Sequence, residues 1–311
     1  MRVRAFAKIN RSLRVLGTRA DGYHELRTIF QSISLHDTLT LRPVRGAFEL
    51  TCDDPACPAD ESNLVARAAA RMWAAAGRSG APRGLAIHLR KRIPMQAGLG
   101  GGSSDAAATL RVLAKRWRVS DANVRAAAAA LGADVPYFLD GGTALGLERG
   151  DLLFPLSEPA SAWVVLVIPA FGVSTKEAFA WFDASKGARG FQPSDRARHR
   201  AGRSPERLAL RDSPERLAPR DSPERLALRE MVNDLEAPVT AHHPEITRII
   251  SALHRSGATQ AAMSGSGSAV FGLFSSRQPA AAAAARLSAR SYRTLLTKTL
   301  NRQTYQRLAA T

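Results

Sequence analysis

Apolar and polar residues alternate from the start of the chain. Val3, Ala5, Ala7 and Ile9, then Leu13 and Val15, recur at period two and predict a strand. Gly17-Thr-Arg-Ala-Asp-Gly22 reads as a turn, and a strand pair is expected across Leu26–Leu41. From Asn63 to Ala76 the period lengthens. Leu64, Val65, Ala68, Ala69, Met72 and Trp73 share one helical face, and Gly77 is the stop. Leu85, Ile87 and Leu89 return to strand spacing. A glycine-rich loop over Pro94–Ser104 then leads into an alanine-rich helix, Asp105–Trp117. A further helix runs over Ser120–Leu131, with Ser120 as N-cap and Gly132 as stop.

The second half repeats this mixture. Trp163–Ile168 predicts a strand, and the capping box Ser174-Thr-Lys-Glu177 starts a helix through Trp181. Helices are expected at Pro244–Ser256 and Pro279–Ala289, and strands at Ala269–Phe274 and Arg293–Leu300. One stretch breaks the pattern. Ser204-Pro-Glu-Arg-Leu-Ala-Leu-Arg-Asp recurs, slightly varied, at Ser213 and Ser222. Each unit carries a proline, which interrupts a helix, and offers little beyond Leu and Ala to bury. Residues 183–228 are therefore expected to form a solvated, low-complexity insertion; a docking tail for a partner is the alternative.

Length and composition narrow the classes. A chain of 311 residues allows one large domain or two ordinary ones, and 45% hydrophobic with 23% charged residues excludes global disorder. The longest apolar run, Trp163–Val173, contains Pro169 and is too short to cross a bilayer. Met1-Arg-Val-Arg-Ala-Phe-Ala-Lys8 lacks the apolar segment of a signal peptide, so a cytoplasmic location without membrane partners is expected. Cys52 and Cys57 have no partner Cys or His pair, which argues against a disulfide framework or a zinc site. The net charge of +17 invites a nucleic-acid reading. Yet it is spread along the chain, and no aromatic-interleaved basic patch accompanies it. A preference for anions, nucleotide phosphates included, is the more modest inference.

The chemistry concentrates in Pro94-Met95-Gln96-Ala97-Gly98-Leu99-Gly100-Gly101-Gly102-Ser103-Ser104-Asp105. Four glycines in twelve residues let the backbone approach a ligand and turn N–H groups inward, and the following helix adds its N-terminal partial charge. Ser103 and Ser104 bring hydroxyls suited to phosphate or, at Ser104, to Mg2+. No lysine follows the last glycine, so this is not a Walker loop. It is a poor dinucleotide fingerprint, and no protein-kinase motif accompanies it.

This loop resembles the second motif of the GHMP kinases, the galactokinase–homoserine kinase–mevalonate kinase superfamily. Ala7-Lys-Ile-Asn10 with Asp21-Gly-Tyr-His24, Gly132-Ala-Asp-Val-Pro136, and Met263-Ser-Gly-Ser-Gly-Ser-Ala-Val-Phe271 resemble other motifs of that superfamily, in the right order. The Asp21-Gly-Tyr-His24 element is similar to the branch whose alcohol is a cytidine-diphosphate-linked polyol. Arg11 stands where that branch usually has Leu, and the period-nine repeat is foreign to it.

The resemblance implies an α+β fold in two parts. A ribosomal-protein-S5-domain-2-like N-terminal domain would span 1–158 and a ferredoxin-like C-terminal domain 159–311, with the site between them. It implies ATP and Mg2+ as co-substrate and cofactor, small-molecule partners only, and a monomer or homodimer. Pro94 through Ser104 would hold ATP. Asp134 would take or orient the hydroxyl proton, although a turn-capping or surface Asp is the plain alternative. Lys8 would stand beside Asp134 and stabilise charge on the transferred phosphoryl group. Asn10, Tyr23 and His24 would meet the acceptor. Phe179 would face the cytosine or else be an ordinary core residue. Asn63 would touch adenine or else cap its helix. Ser264–Ser268 would close over the site, and Asn233-Asp-Leu-Glu236 reads as a structural cap. Two other functions remain open: the same fold with a different small alcohol, and a basic nucleic-acid binder.

Overall fold

The computed structural model describes residues 1–187, 232–290 and 292–310. The period-nine repeat lies outside them. Two sheets organise the chain. In the first, β1 (Arg2–Thr18) and β2 (His24–Ala47) form a long antiparallel hairpin. On its other edge β2 pairs with β5 (Thr143–Glu148) through residues 26–31 and with β4 (Arg83–Arg90) further on. Two short strands complete the sheet, β3 (Glu49–Cys52) parallel to β4 and β6 (Leu152–Pro155) against β5. The strand pair expected over Leu26–Leu41 is thus one strand. No Gly or Pro interrupts it before Pro43, and β4 and β5 lie end to end along it.

Three helices cover one face of this sheet: α1 (Leu64–Ala75), α2 (Gly101–Trp117) and α3 (Asp121–Leu131). Asn63 caps α1 by accepting from the Val65 N–H, and Ser120 caps α3 from the Asn123 N–H. Each such cap contributes about 1 kcal/mol. Ala106, Ala107 and Ala108 are buried, so small side chains line the part of α2 packed into this core. The short helix α4 (Tyr137–Asp140) follows α3. α2 begins at Gly101, four residues before the position expected from the alanine pattern.

The second sheet has strand order β10-β7-β9-β8, all antiparallel: β7 (Trp163–Ile168), β8 (Gln260–Met263), β9 (Val270–Phe274) and β10 (Arg293–Lys298). With α5 (Thr175–Gly187) after β7 and α8 (Arg277–Ser288) after β9, this is the ferredoxin-like arrangement. Between α5 and β8 lie α6 (Glu236–His242) and α7 (Glu245–Arg255), and α9 (Arg302–Ala309) ends the described chain. The capping box forms as expected: the Glu177 carboxylate accepts from the Ser174 N–H and Oγ, and the Glu177 N–H returns to Ser174 Oγ.

β1 serves three cores, which its simple alternation does not reveal. Val3 and Ala5 pack beneath the helices, Ala7 and Ile9 against the second sheet, and Leu13 and Val15 in the core under α6 and α7. The register against β2 shifts twice on the way: at Phe6/Lys8, where the extra residues lie on β2, and at Asn10/Ser12, where Arg11 is the extra residue on β1. An extra residue at a bulge rotates the side chains that follow it. These bulges bracket the two polar residues that matter most, Lys8 and Asn10.

Candidate active site

A cavity of about 970 Å3 opens beside β1 and β2, between the glycine loop, the start of α5 and the Ser264–Ser268 turn. Lys8 reaches it from the bulged part of β1 and is 4% exposed. Its Nζ lies 2.5 Å from Asn10 Oδ1 and 3.4 Å from Asp134 Oδ2. Asn10 is fixed in turn by donating to Thr28 Oγ1 at 2.7 Å. Asp134 sits in the turn between α3 and α4, one-third exposed, with one oxygen toward Lys8. A buried cation and a half-open carboxylate thus share one edge of the cavity.

The glycine loop forms its floor. Pro94 through Ser103 line the cavity, and the N-terminal end of α2 points into it. Two glycines are required by geometry. Gly98 has φ +71, and a Cβ there would stand 2.0 Å from the Ser264 carbonyl oxygen. Gly100, also at φ +71, would push its Cβ to 2.7 Å from the Phe138 ring and 3.2 Å from Lys8 Cε. A side chain at either position costs about 1–3 kcal/mol in backbone strain alone, before any clash. Gly98→Ala should therefore melt well below the wild type, whereas Gly102→Ala, whose Cβ meets only Leu64 Cδ1 at 3.7 Å, should melt near it. Equal melting of the two variants would contradict this account of the loop.

Ser104 is a correction. Its hydroxyl donates to the Phe6 carbonyl at 2.7 Å and is buried away from the cavity, so it does not offer itself to a metal ion. Starting the helix at Gly101 turns Ser103 to the cavity and Ser104 toward β1. Asn63 lines the cavity, yet both ends of its amide are engaged. Oδ1 caps α1, and Nδ2 donates to the Pro58 carbonyl at 2.6 Å. Capping, rather than a free adenine contact, is its observed role.

Tyr23 and His24 stand at the opposite mouth. Tyr23 is 58% exposed beneath the Arg149 guanidinium, 5.4 Å from the ring centre. His24 stacks on Phe179 at 4.4 Å, and its Nε2 lies 2.9 Å from Asp183 Oδ1. Phe179 thus lines the cavity and also packs on the core. The Ser264–Ser268 turn closes one wall: Ser264 Oγ donates to the Gly98 carbonyl and accepts from the Asn10 N–H. Asn233 to Glu236 is structural. Asn233 Nδ2 donates to the Met263 and Gly265 carbonyls, Asp234 accepts from the Val15 N–H, and Glu236 accepts from the Met263 N–H.

One cluster escaped the sequence. Lys91, buried beside the cavity, donates to Asp37 Oδ2 at 2.5 Å and to Asp105 Oδ2 at 2.7 Å. Asp37 Oδ1 also accepts the Arg92 and Ile93 N–H groups, which fixes the chain leading into the glycine loop. Burial alone would lower the Lys91 pKa, but the two carboxylates raise it above its ordinary value. Burial pushes Asp105 up to about 8, Lys91 opposing and Asp37 adding to the shift. Among the described residues, Asp105 Oδ1 is buried without a hydrogen-bond partner. The folded protein therefore keeps a proton at Asp105 that the unfolded chain loses above 3.8. This group's contribution to stability falls as pH rises from 3.8 toward 8 and levels off above. Thermal melts without added divalent cation should show that fall in the wild type and a weaker one in Asp105→Asn. Parallel curves would refute it. A signal was present: Ile33, Leu35, Asp37, Leu39 and Leu41 share one phase of β2, and a carboxylate in an apolar phase must be buried and paired.

Comparison with known proteins bears on the fold and the family. Residues 63–142 match the GHMP kinases N terminal domain, and residues 220–293 match GHMP kinases C terminal. A homoserine kinase from Cytophaga hutchinsonii shares the fold at 19% identity, with a TM-score of 0.67 over 98% of this chain and 96% of its own. Similarity is higher to a 4-diphosphocytidyl-2-C-methyl-D-erythritol kinase from Moorella thermoacetica, 40% identical over 95% of this chain and 98% of its own. A crystal structure of 4-(cytidine 5'-diphospho)-2C-methyl-D-erythritol kinase superposes with a TM-score of 0.73 at 34% identity, covering 96% of this chain and 99% of that one. The chain belongs to the 4-diphosphocytidyl-2-C-methyl-D-erythritol kinase family of the GHMP kinases. Among the described residues, no helix is long and apolar enough to cross a membrane.

Proposed function

We propose that this protein transfers the γ-phosphoryl group of ATP to the 2-hydroxyl of 4-diphosphocytidyl-2-C-methyl-D-erythritol, in the non-mevalonate route to isoprenoid precursors. One observation carries the mechanism: the Lys8–Asp134 pair faces the glycine loop and the α2 N-terminus across a single cavity. Phosphoryl transfer asks mainly for positioning and charge stabilisation. The loop N–H groups and the α2 dipole bind the phosphates. The acceptor oxygen attacks the γ-phosphorus, its proton passes to or is oriented by Asp134, and ADP leaves. Lys8 stabilises charge on the phosphoryl oxygens, and Asn10 holds both Lys8 and the acceptor in register. Tyr23, with its open face, and the stacked His24–Phe179 pair take the cytosine end.

Mg2+ needs few protein ligands, because phosphate oxygens and waters fill most of its octahedron. Among the residues lining the cavity, Ser103 and the unpartnered Oδ1 of Asp105 fit that demand. When bound, the ion neutralises charge on the nucleotide phosphates.

The test is ADP release with the cytidine-linked alcohol beside mevalonate, homoserine and galactose, with and without Mg2+. Selective, metal-dependent turnover of the first supports the proposal. Turnover of another alcohol instead would keep the fold reading and remove the substrate. Tyr23→Ala should raise the KM for the cytidine-linked alcohol and leave that for ATP near wild type.

A further inference from the structure

Among the described residues, a group of unpaired charge lies outside the catalytic cavity. Arg2 and Arg4 on β1, His36 and Thr38 on β2, Arg90 at the end of β4 and Arg92 just beyond it line a second pocket of about 280 Å3. The strand register explains their meeting. Arg4 pairs with Thr38, and Thr38 with Arg90, so the two arginines flank one threonine across three neighbouring strands. Adjacent strands lie roughly 5 Å apart, which leaves the two backbones roughly 10 Å apart and both guanidinium groups free to turn inward. Val3, Leu39 and Leu89 point to the opposite face, into the core.

All four arginines are exposed, and among the described residues none of them forms an ion pair. No carboxylate among the described residues lines the pocket. Arginine stays charged at any physiological pH, and like charges on neighbouring strands repel. An anion with several oxygens would relieve that repulsion and satisfy the guanidinium forks. The ring in the pocket is not a platform for a base. His36 is tilted against buried Phe6, 5.2 Å between centres, with Nδ1 on the Ser34 carbonyl. Phosphate chemistry therefore fits better than single-stranded nucleic acid, which stacks its bases on open aromatic faces.

We propose that this pocket is a second anion site, for a condensed oligophosphate such as diphosphate or triphosphate, free or as the head of an ester. No residue lines both this pocket and the catalytic cavity. Lys91, between Arg90 and Arg92, is committed to Asp37 and Asp105.

The test is calorimetric titration of the full chain with sodium tripolyphosphate while saturating ADP occupies the nucleotide loop. One equivalent should bind despite ADP and weaken as salt is raised. In Arg4→Gln/Arg90→Gln the affinity should fall at least ~10-fold. ADP binding by the same variant should match wild type, which shows that it folds. Arg4→Lys/Arg90→Lys, retaining charge but losing the planar fork, should fall between. Absence of an ADP-insensitive equivalent would overturn the proposal, as would an equivalent that survives the double Gln change. A single-stranded oligonucleotide that displaces tripolyphosphate at lower phosphate concentration would also overturn it, in favour of nucleic acid. Failure of ADP itself to bind would count against the kinase reading and is seen separately.

Discussion

Asp134→Asn is expected to lower kcat by about 10²–10⁴-fold while ADP binding stays at the wild-type level. The substitution keeps the size of a side chain that is one-third exposed, so packing is not disturbed. What it removes is a carboxylate 3.4 Å from Lys8 Nζ. Lys8 remains anchored by Asn10 Oδ1, so its position should persist. The loss therefore isolates proton handling and orientation at the acceptor hydroxyl. Rapid-quench measurement of the phosphoryl-transfer step distinguishes this from slow product release. A kcat within about threefold of wild type would remove Asp134 from the chemistry.

The second large effect is on stability. Lys91→Met should destabilise the protein by about 3–5 kcal/mol, because it leaves two buried carboxylates without their shared cation. Asp37 is 0% and Asp105 3% exposed, so water cannot substitute for the lysine. Melting should fall by on the order of 10 °C. Adding Asp105→Asn to Lys91→Met should recover part of that loss, since one of the two buried carboxyl groups that must otherwise be protonated or left unpaired is gone. No recovery would mean that Lys91 acts through packing of its stem rather than through charge. Asp37 also holds the Arg92 and Ile93 N–H groups, so nucleotide affinity should fall along with stability.

Much of the fold follows from local periodicity. The helical face of Leu64 to Trp73, the run Trp163–Ile168 and the Ser174 capping box each specify their element through neighbours a few residues away. The loop Pro94–Ser103 was likewise legible, because its glycines and the helix after it are adjacent in sequence. What escaped depended on distant partners. β1 passes from one core to the next across register shifts that only the pairing with β2 creates. The direction of Ser104 depended on a helix starting four residues early, where Gly101 and Gly102 weaken any helical signal. Lys91 meets Asp37 from 54 residues away. The strands β5 and β6, and with them Arg149, were hidden because segments as short as theirs carry little alternation.

The triple packing of β1 also bears on the order in which the chain folds. Helices α1, α2 and α3 contact one another locally and lie within 68 residues of sequence, Leu64 to Leu131. By contrast, the Asn10 N–H reaches Ser264 Oγ across 254 residues, and Leu13 bridges to Asn233. Closing such long spans is slow. β1 is thus among the last elements to be fully enclosed. Lys8 and Asn10 acquire their final surroundings only once the turn at Ser264 exists. A chain can build the nucleotide loop from local contacts, but Lys8 and Asn10 cannot take up their working positions before the residues around Ser264 have been made.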